Sequence, residues 1–376
     1  MYYFDHSATT PLHPKVKELM GEVGELHFGN PSSVHASGQK AKTLIETSRG
    51  QMAKAIGCNS NEIIFTGGGT EANNLVLWNL IHQKKKHVIT SVIEHPAVLT
   101  VLDSLVEFGV TYTAVGVDET GMVNPDDVQN AITEKTGLIS IMLANNEMGT
   151  LQPIAEIAAI ANKYKIIMHT DAVQTLGKIP VNSKELGADC MSFSAHKFYG
   201  PKGVGALFIK KDLKLKPLII GGNQERRMRA GTENTSGISG LGLAAELATN
   251  NLHKTQSHLI SLTHAFKAQI THIYPEVIFN GHPEKQLPGL VNVSFPRFRN
   301  DLLMIHLDRQ GIAVSSGSAC SSGDIKPSRI LSSMGITDDI NNSTLRISFG
   351  IDNSLQDMEY LIKCFKSTFE RIRSAV

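Results

Sequence analysis

Three side chains in the middle of the chain are spaced to do chemistry together: Asp171, Gln174 and Lys197. Lys197 closes the run Ser194-Ala195-His196-Lys197, which ends a short apolar stretch and is followed by the turn Gly200-Pro201-Lys202-Gly203. A lysine at a strand end of an α/β protein is held near the crevice where such sheets bind ligands. Its amine, once deprotonated, forms a Schiff base with an aldehyde cofactor. Asp171 ends the preceding apolar stretch, Ile166-Ile167-Met168-His169-Thr170. A carboxylate there would pair with a protonated pyridine nitrogen and keep the ring of pyridoxal 5′-phosphate (PLP) an electron sink; it would serve equally as a helix cap. Gln174, neutral and long, could hydrogen-bond the ring's 3-hydroxyl.

Two further features point at the same chemistry. In Phe65-Thr66-Gly67-Gly68-Gly69-Thr70-Glu71 a strand passes through glycines into a helix. Backbone N–H groups near Gly69 and the Thr70 hydroxyl could cradle a phosphate at the positive helix end. His95, in Glu94-His95-Pro96, follows the strand His87–Ser91 on the same sheet edge, where it could stack on a flat ring and shuttle protons.

Of the four cysteines, Cys58, Cys190 and Cys364 read as small hydrophobes. Cys320 lies in a run from Ser315 to Gly323 that is serine and glycine except for Ala319 and Cys320 itself. So little apolar surface predicts a mobile loop over about 315–325. A free thiol with a pKa of ~8.5 is only a few per cent thiolate at neutral pH. A neighbouring group, of which His95 is a candidate, must therefore deprotonate Cys320 or stabilise its anion. The same run also reads as a small-residue turn without function.

Positioning these residues requires an α/β framework. Strands are expected at 62–65, 87–91, 138–143, 166–169, 191–194 and 205–209, with helices at 71–81, 97–108 and 154–164 between them, as in a mostly parallel sheet covered by helices. From Gly237 to Tyr274 there is no proline, and Leu, Ile and Ala recur at helical spacing. The remainder reads as α+β, with strands near 290–295 and 344–349 and helices at 301–310 and 356–372. A chain of 376 residues, 41% hydrophobic, is too long for one core. The expected division is a large domain over 15–255 and a smaller one made of 1–14 with 256–376, which carries the Cys320 loop.

With 36 basic and 35 acidic residues there is no electrostatic case for a nucleic-acid or anionic-membrane partner. No segment has ~20 consecutive apolar residues, and the N-terminus lacks a leader pattern, so a cytoplasmic protein is expected. The four separated cysteines form no C-x-x-C pair, and the histidine spacings show no metal site.

The segments Asp171-Ala172-Val173-Gln174, Ser194-Ala195-His196-Lys197, Gly69-Thr70-Glu71-Ala72-Asn73-Asn74, Asn145-Asn146-Glu147, Arg229-Ala230-Gly231-Thr232 and Ser315-Ser316-Gly317-Ser318-Ala319-Cys320 together resemble the cysteine desulfurase family, NifS/IscS-like. The match extends from Asp5-His6-Ser7-Ala8-Thr9-Thr10 to Ser343-Thr344-Leu345-Arg346. The resemblance implies a fold type I PLP enzyme of the class-V aminotransferase group, a homodimer with two active sites at the subunit interface. In it Lys197 resembles the lysine that holds the cofactor, Asp171 the pyridinium partner, Gln174 the 3-hydroxyl partner and His95 the stacking acid/base. Thr70, Ser194 and His196 match the phosphate cup, and Thr232 the residue that reaches the phosphate from the other subunit. Asn146 and Arg346 match groups that hold the substrate carboxylate, the guanidinium as a bidentate fork.

The implied reaction converts L-cysteine to L-alanine, with a persulfide formed on Cys320 and passed to a sulfur-acceptor protein for iron–sulfur cluster assembly or tRNA thiolation. Selenocysteine lyase is the alternative within the same architecture. An aminotransferase and a non-enzymatic assembly subunit are the more distant ones. The basic run Arg226, Arg227 and Arg229 reads either as an interface or acceptor-steering patch or as a solvated surface.

Overall fold

Strands that are apolar on both faces must be covered on both sides, and the chain does this with helices drawn from before, between and after them. The computed structural model describes residues 1–317 and 327–374. The chain opens with β1 (Tyr2–Tyr3), α1 (Pro14–Leu26) and α2 (Ala36–Ala55). Next come β2 (Ile63–Thr66), α3 (Gly69–Trp78), β3 (His87–Ser91), α4 (Pro96–Leu105), β4 (Thr111–Val115) and β5 (Thr136–Ser140). Then α5 (Ile154–Lys163), β6 (Ile167–Asp171), β7 (Cys190–Ser194) and β8 (Gly205–Ile209) complete the main sheet.

The seven strands run in the order β2-β8-β7-β6-β5-β3-β4. All neighbours pair in parallel except β8, which is antiparallel to both β2 and β7. The expected mostly parallel sheet is therefore present. Strand β4 was not expected: Thr111-Tyr112-Thr113-Ala114-Val115 alternates exposed and covered residues, as an edge strand does, and carries no apolar run. Helices α1 and α2 were also not expected. A Cβ added to Gly242 would come within 2.6 Å of Ser48 on α2, so α2 packs backbone to backbone against the helix that carries Gly242.

The long helical stretch divides into α6 (Thr235–Asn250) and α7 (Leu252–Ile273). Beyond it, β9 (Ile278–Asn280), β10 (Leu290–Ser294), α8 (Asn300–Asp308), β11 (Ile312–Ala313), β12 (Thr344–Ser348) and α9 (Leu355–Ser374) form the second half of the architecture. Three of these strands make an antiparallel sheet in the order β12-β10-β9, and β1 pairs in parallel with β11.

The buried apolar residues fall into separate groups. One fills the face of the main sheet under α2, α5 and α6, with Ile45, Ile141, Phe193 and Leu241 in it. Another, including Leu75, Val88 and Leu102, lies under α3 and α4. A third belongs to the second half and is aromatic, built on Phe4, Phe266, Phe295, Phe349 and Phe365. Phe4 joins the first strand's segment to that last core, so residues 1–10 start in one half and run on to the other.

One buried ion pair fixes the loop that leads into α6. Arg49, 3% exposed on α2, donates to both carboxylate oxygens of Glu225 at 2.7 and 2.8 Å and to the Ile63 carbonyl at 3.0 Å. Glu225 also accepts from the Phe65 N–H at 2.8 Å. Glu225, Arg226 and Arg227 all hold positive φ, a strained run kept in place by this anchor. Arg49→Met is expected to lower unfolding stability by about 3–5 kcal/mol, because it leaves a buried carboxylate without its cation; chemical denaturation of variant and native protein measures it.

Candidate active site

The ends of β2, β6 and β7 deliver their side chains to one cavity of about 280 Å³, lined among others by Gly69, Thr70, His95, Asn146, Asp171 and Lys197. Gln174, Ser194, His196 and Arg346 line it too. Of the candidate site residues singled out in the sequence, one that the structure describes does not line it. Thr232 is exposed and is not among the cavity-lining residues of its own chain. Cys320 and most of its loop lie outside the described residues.

Lys197 stands in a single turn of 3-10 helix, Ala195–Lys197, directly after β7. Its ammonium donates to the carbonyls of Ser7 and Ala8 at 2.6 and 2.8 Å. Asp171 ends β6, 8% exposed. Its Oδ2 accepts from Asn73 Nδ2 at 2.7 Å and its Oδ1 from the Val173 N–H at 3.0 Å, so the carboxylate is aimed from two sides. Gln174 is buried and donates from Nε2 to the Ser7 carbonyl at 3.0 Å.

The glycine turn opens α3 at the same cavity. Gly68 has φ +149°, which excludes side chains, and it forms the N-cap of α3 without any side-chain bond, so the first-turn N–H groups are left for another acceptor. A Cβ on Gly69 would come within 2.5 Å of Val173. Glu71, in the same turn, accepts from Gly67 N–H at 2.8 Å and pairs with Arg229 at 3.1 Å. Arg229 is thereby drawn inward from the basic run, whereas Arg226 and Arg227 are exposed.

His95 is the N-cap of α4: its Nδ1 accepts from the Ala97 N–H at 3.1 Å. In the neutral ring the proton then sits on Nε2, and a role as base at Nε2 requires the other tautomer and the loss of that cap bond. Burial lowers the His95 pKa, with Lys197 and Arg329 adding to the effect and Asp171 opposing it. His196, hydrogen-bonded to Thr9 Oγ1 at 3.1 Å, is pushed down to about 4 by burial and by the charges of Lys197, Lys202 and Lys178.

Arg346, on β12, reaches the cavity from the other half of the chain. One nitrogen donates to Asp5 at 2.8 Å and another to the Asn146 carbonyl at 3.1 Å. Its Nε and the Asn146 Oδ1 are buried without a partner. Both residues line the cavity, and two polar atoms of opposite hydrogen-bonding sense are what an amino-acid ligand would satisfy.

Sequence reasoning missed Asn73, Glu94 and Lys178. Asn73 lies within the quoted motif Gly69–Asn74, but without a role there. The carbonyls of Ser7 and Ala8 carry no residue-type signal at all. Among the described residues, no group of three or more His, Cys, Asp or Glu is placed to hold a metal ion.

These residues fit PLP. A carboxylate held by two donors suits a pyridinium nitrogen, an amine beside it suits the aldehyde, and an uncapped helix start with Thr70, Ser194 and His196 suits a phosphate. Fold and site together thus define a PLP enzyme of the α/β class. The model of the family described as aminotransferase class-V matches residues 2–361. The cysteine desulfurase IscS of Dictyoglomus turgidum is 45% identical over 375 residues, 99% of this chain and 95% of that protein. Among solved structures, a NifS-like protein superposes with a TM-score of 0.92 at 36% identity, covering 98% of this chain and 99% of that one. SspA in complex with cysteine superposes with a TM-score of 0.83 at 34% identity, covering 93% and 99%. The chain belongs to the class-V aminotransferase family, among its cysteine desulfurases of the IscS kind.

Beside the site, Glu94 is fully buried. Ser91 Oγ and the Met142 N–H donate to its Oε1 at 2.6 and 2.9 Å, and its Oε2 has no partner. Burial, with a smaller push from Asp171, raises its pKa to about 8. A carboxyl whose folded pKa lies above its unfolded value binds its proton more tightly when folded, so it costs stability as pH rises from about 4.5 to 8. Glu94→Gln is expected to abolish that loss. Its stability relative to the native protein should rise across this window, by up to about 5 kcal/mol above pH 8, in denaturation series at pH 5, 7 and 8.5.

Proposed function

We propose that this site converts L-cysteine to L-alanine, with Lys197 holding PLP and Cys320 taking the sulfur. The observation that carries the reading is the convergence of Lys197, Asp171, Gln174 and His95 with the glycine turn of α3 on one cavity. When bound there, PLP supplies the electron sink that loosens the bonds of the substrate's Cα and Cβ.

The chain's own residues supply the rest. Asp171, steadied by Asn73 and the Val173 N–H, would hold a proton on the ring nitrogen. The first turn of α3, Thr70, Ser194 and His196 would hold the phosphate. Arg346, through its unpartnered Nε, and Asn146, through its side-chain N–H, would take the substrate carboxylate. Lys197, next to the Ser7 and Ala8 carbonyls, would move the α-proton, and His95 would exchange protons with the thiol from the opposite side. The Cys320 thiolate attacks the substrate sulfur. An S–S bond forms, the Cβ–S bond breaks with its electron pair left on carbon, and protonation of that carbon gives alanine. The persulfide then passes to an acceptor protein in iron–sulfur cluster assembly or tRNA thiolation.

The same reading makes the chain a cytoplasmic homodimer, divided into a domain over 15–255 and another of 1–14 with 256–376. The exposed Thr232, which does not line the cavity of its own chain, supports a role toward the phosphate in a second copy. No helix among the described residues is long and apolar enough to cross a membrane.

Lys197→Ala is expected to remove the cofactor's visible absorption band and to lower alanine formation by at least ~10³-fold, since nucleophile and proton carrier are lost together; a spectrum like that of the native protein would overturn the assignment. Cys320→Ala should keep the band, and mass spectrometry should find no protein-bound persulfide after incubation with cysteine. Undiminished production of alanine and sulfide by that variant would sink the role given to Cys320.

A further inference from the structure

Besides the cavity of the proposed site, Lys197 lines a larger one of about 410 Å³. Lys197 lines both cavities, and a second lysine, Lys178, lines the larger one. Lys178 follows Gln174 by one turn, and its ammonium donates to Gln174 Oε1 at 3.3 Å. The other end of the same amide donates to the Ser7 carbonyl at 3.0 Å, and that carbonyl also receives the Lys197 ammonium at 2.6 Å. Gln174 is thus pinned at both ends. Lys178, a donor only when charged, takes the amide oxygen, and Ser7, an acceptor only, takes one amide hydrogen. The group Gln174 has left to offer the cofactor cavity is its second N–H.

We propose that Lys178 is a positioning residue for the cofactor site: it pins Gln174 so that only N–H faces the cavity, and it places a positive charge near Lys197. The inference rests on the reading of Lys197 as the residue that holds PLP. An N–H donor favours the anionic form of a ring oxygen, and a nearby cation disfavours a second positive charge on the Lys197 nitrogen. Both effects act in the same direction, toward an easily deprotonated Lys197 nitrogen.

The surroundings agree with this placement. Burial, then the charges of Lys197 and Arg346, push the Lys178 pKa down to about 7. His6 and His196 both feel its charge and are themselves held down at about 4, so they add no cation at neutral pH. From the helix and strand ends packed around the larger cavity, His13, Lys254, His258 and Asp352 face the same space, together with the Tyr199 phenol. Asp352 is the one carboxylate in this lining, and among the described residues it forms no ion pair with Lys178.

The test is a pH titration of the visible absorption band of the PLP-loaded protein. Lys178→Met is expected to raise the midpoint by about one pH unit, by removing both the cation and the clamp on Gln174. Lys178→Arg, which keeps charge and donors, should restore most of the native value. Lys178→Gln, which keeps a donor without the charge, should lie between and also serves if the Met variant does not fold. In a Gln174→Leu background the Lys178→Met shift should fall to less than half, because the part transmitted through the amide is already lost. An unmoved midpoint in Met and Gln variants overturns the proposal, as does an equal shift with and without Gln174. A native protein whose visible band survives Lys197→Ala would instead overturn the underlying reading of Lys197.

Discussion

Two backbone carbonyls, those of Ser7 and Ala8, receive the ammonium of Lys197, and the arrangement of the whole site depends on that contact. The lysine belongs to the main sheet, whereas the carbonyls belong to a segment that Phe4 roots in the aromatic core of the other half. The same segment supplies Asp5 to Arg346, accepts from Gln174 through Ser7, and ties Thr10 to the His196 carbonyl at 2.9 Å. The site is therefore assembled only when both cores have formed. A lysine with three donors and no acceptor is well suited to such a joint, because it accepts whatever carbonyls are brought to it without demanding a particular side chain.

That dependence explains what could be read from the residues and what could not. The strands His87–Ser91 and Gly205–Ile209 were legible to the residue because each is short and centred on buried aliphatic residues, as in strands covered on both faces. Asp171, Lys197 and the glycine turn were legible because strand ends of an α/β sheet share an edge, so their proximity follows from the order of the elements. The contributions of Ser7, Ala8 and Lys178 were not, since they depend on which backbone lies against which, and no residue type announces it. Strand β4 and helix α2 were missed for a related reason: one is an alternating edge and the other packs through Gly and Ser contacts. His95 was legible as a ring near the site, but its use as the cap of α4, which decides which nitrogen carries the proton, appears only in the geometry.

The division of labour between the two halves follows the chemistry. The main sheet, with rigid strand ends, presents the groups that grip a flat cofactor, and rigid elements hold geometry better than loops do. The second half brings Arg346 to the cavity and reaches the site through β12 and the first ten residues. Glu147 belongs to this junction: it accepts from Ser328 Oγ at 2.5 Å, while burial raises its pKa against the pull of Ser328, Arg346 and Arg329.

Charge control is the common thread. His6, His169 and His196 are all driven down to about 4 by burial, and Glu94 up to about 8. At neutral pH these titratable neighbours are uncharged. Arg346 is paired with Asp5, while Asp171, Lys197 and, in part, Lys178 carry charge beside the cavity. In a low-dielectric site a few charges act strongly and over distance. A surplus of positive charge suits a phosphate and a carboxylate entering together. In the proposed reading, the Asp171 carboxylate at the end of β6 would act on the ring nitrogen, which is where an electron sink needs it.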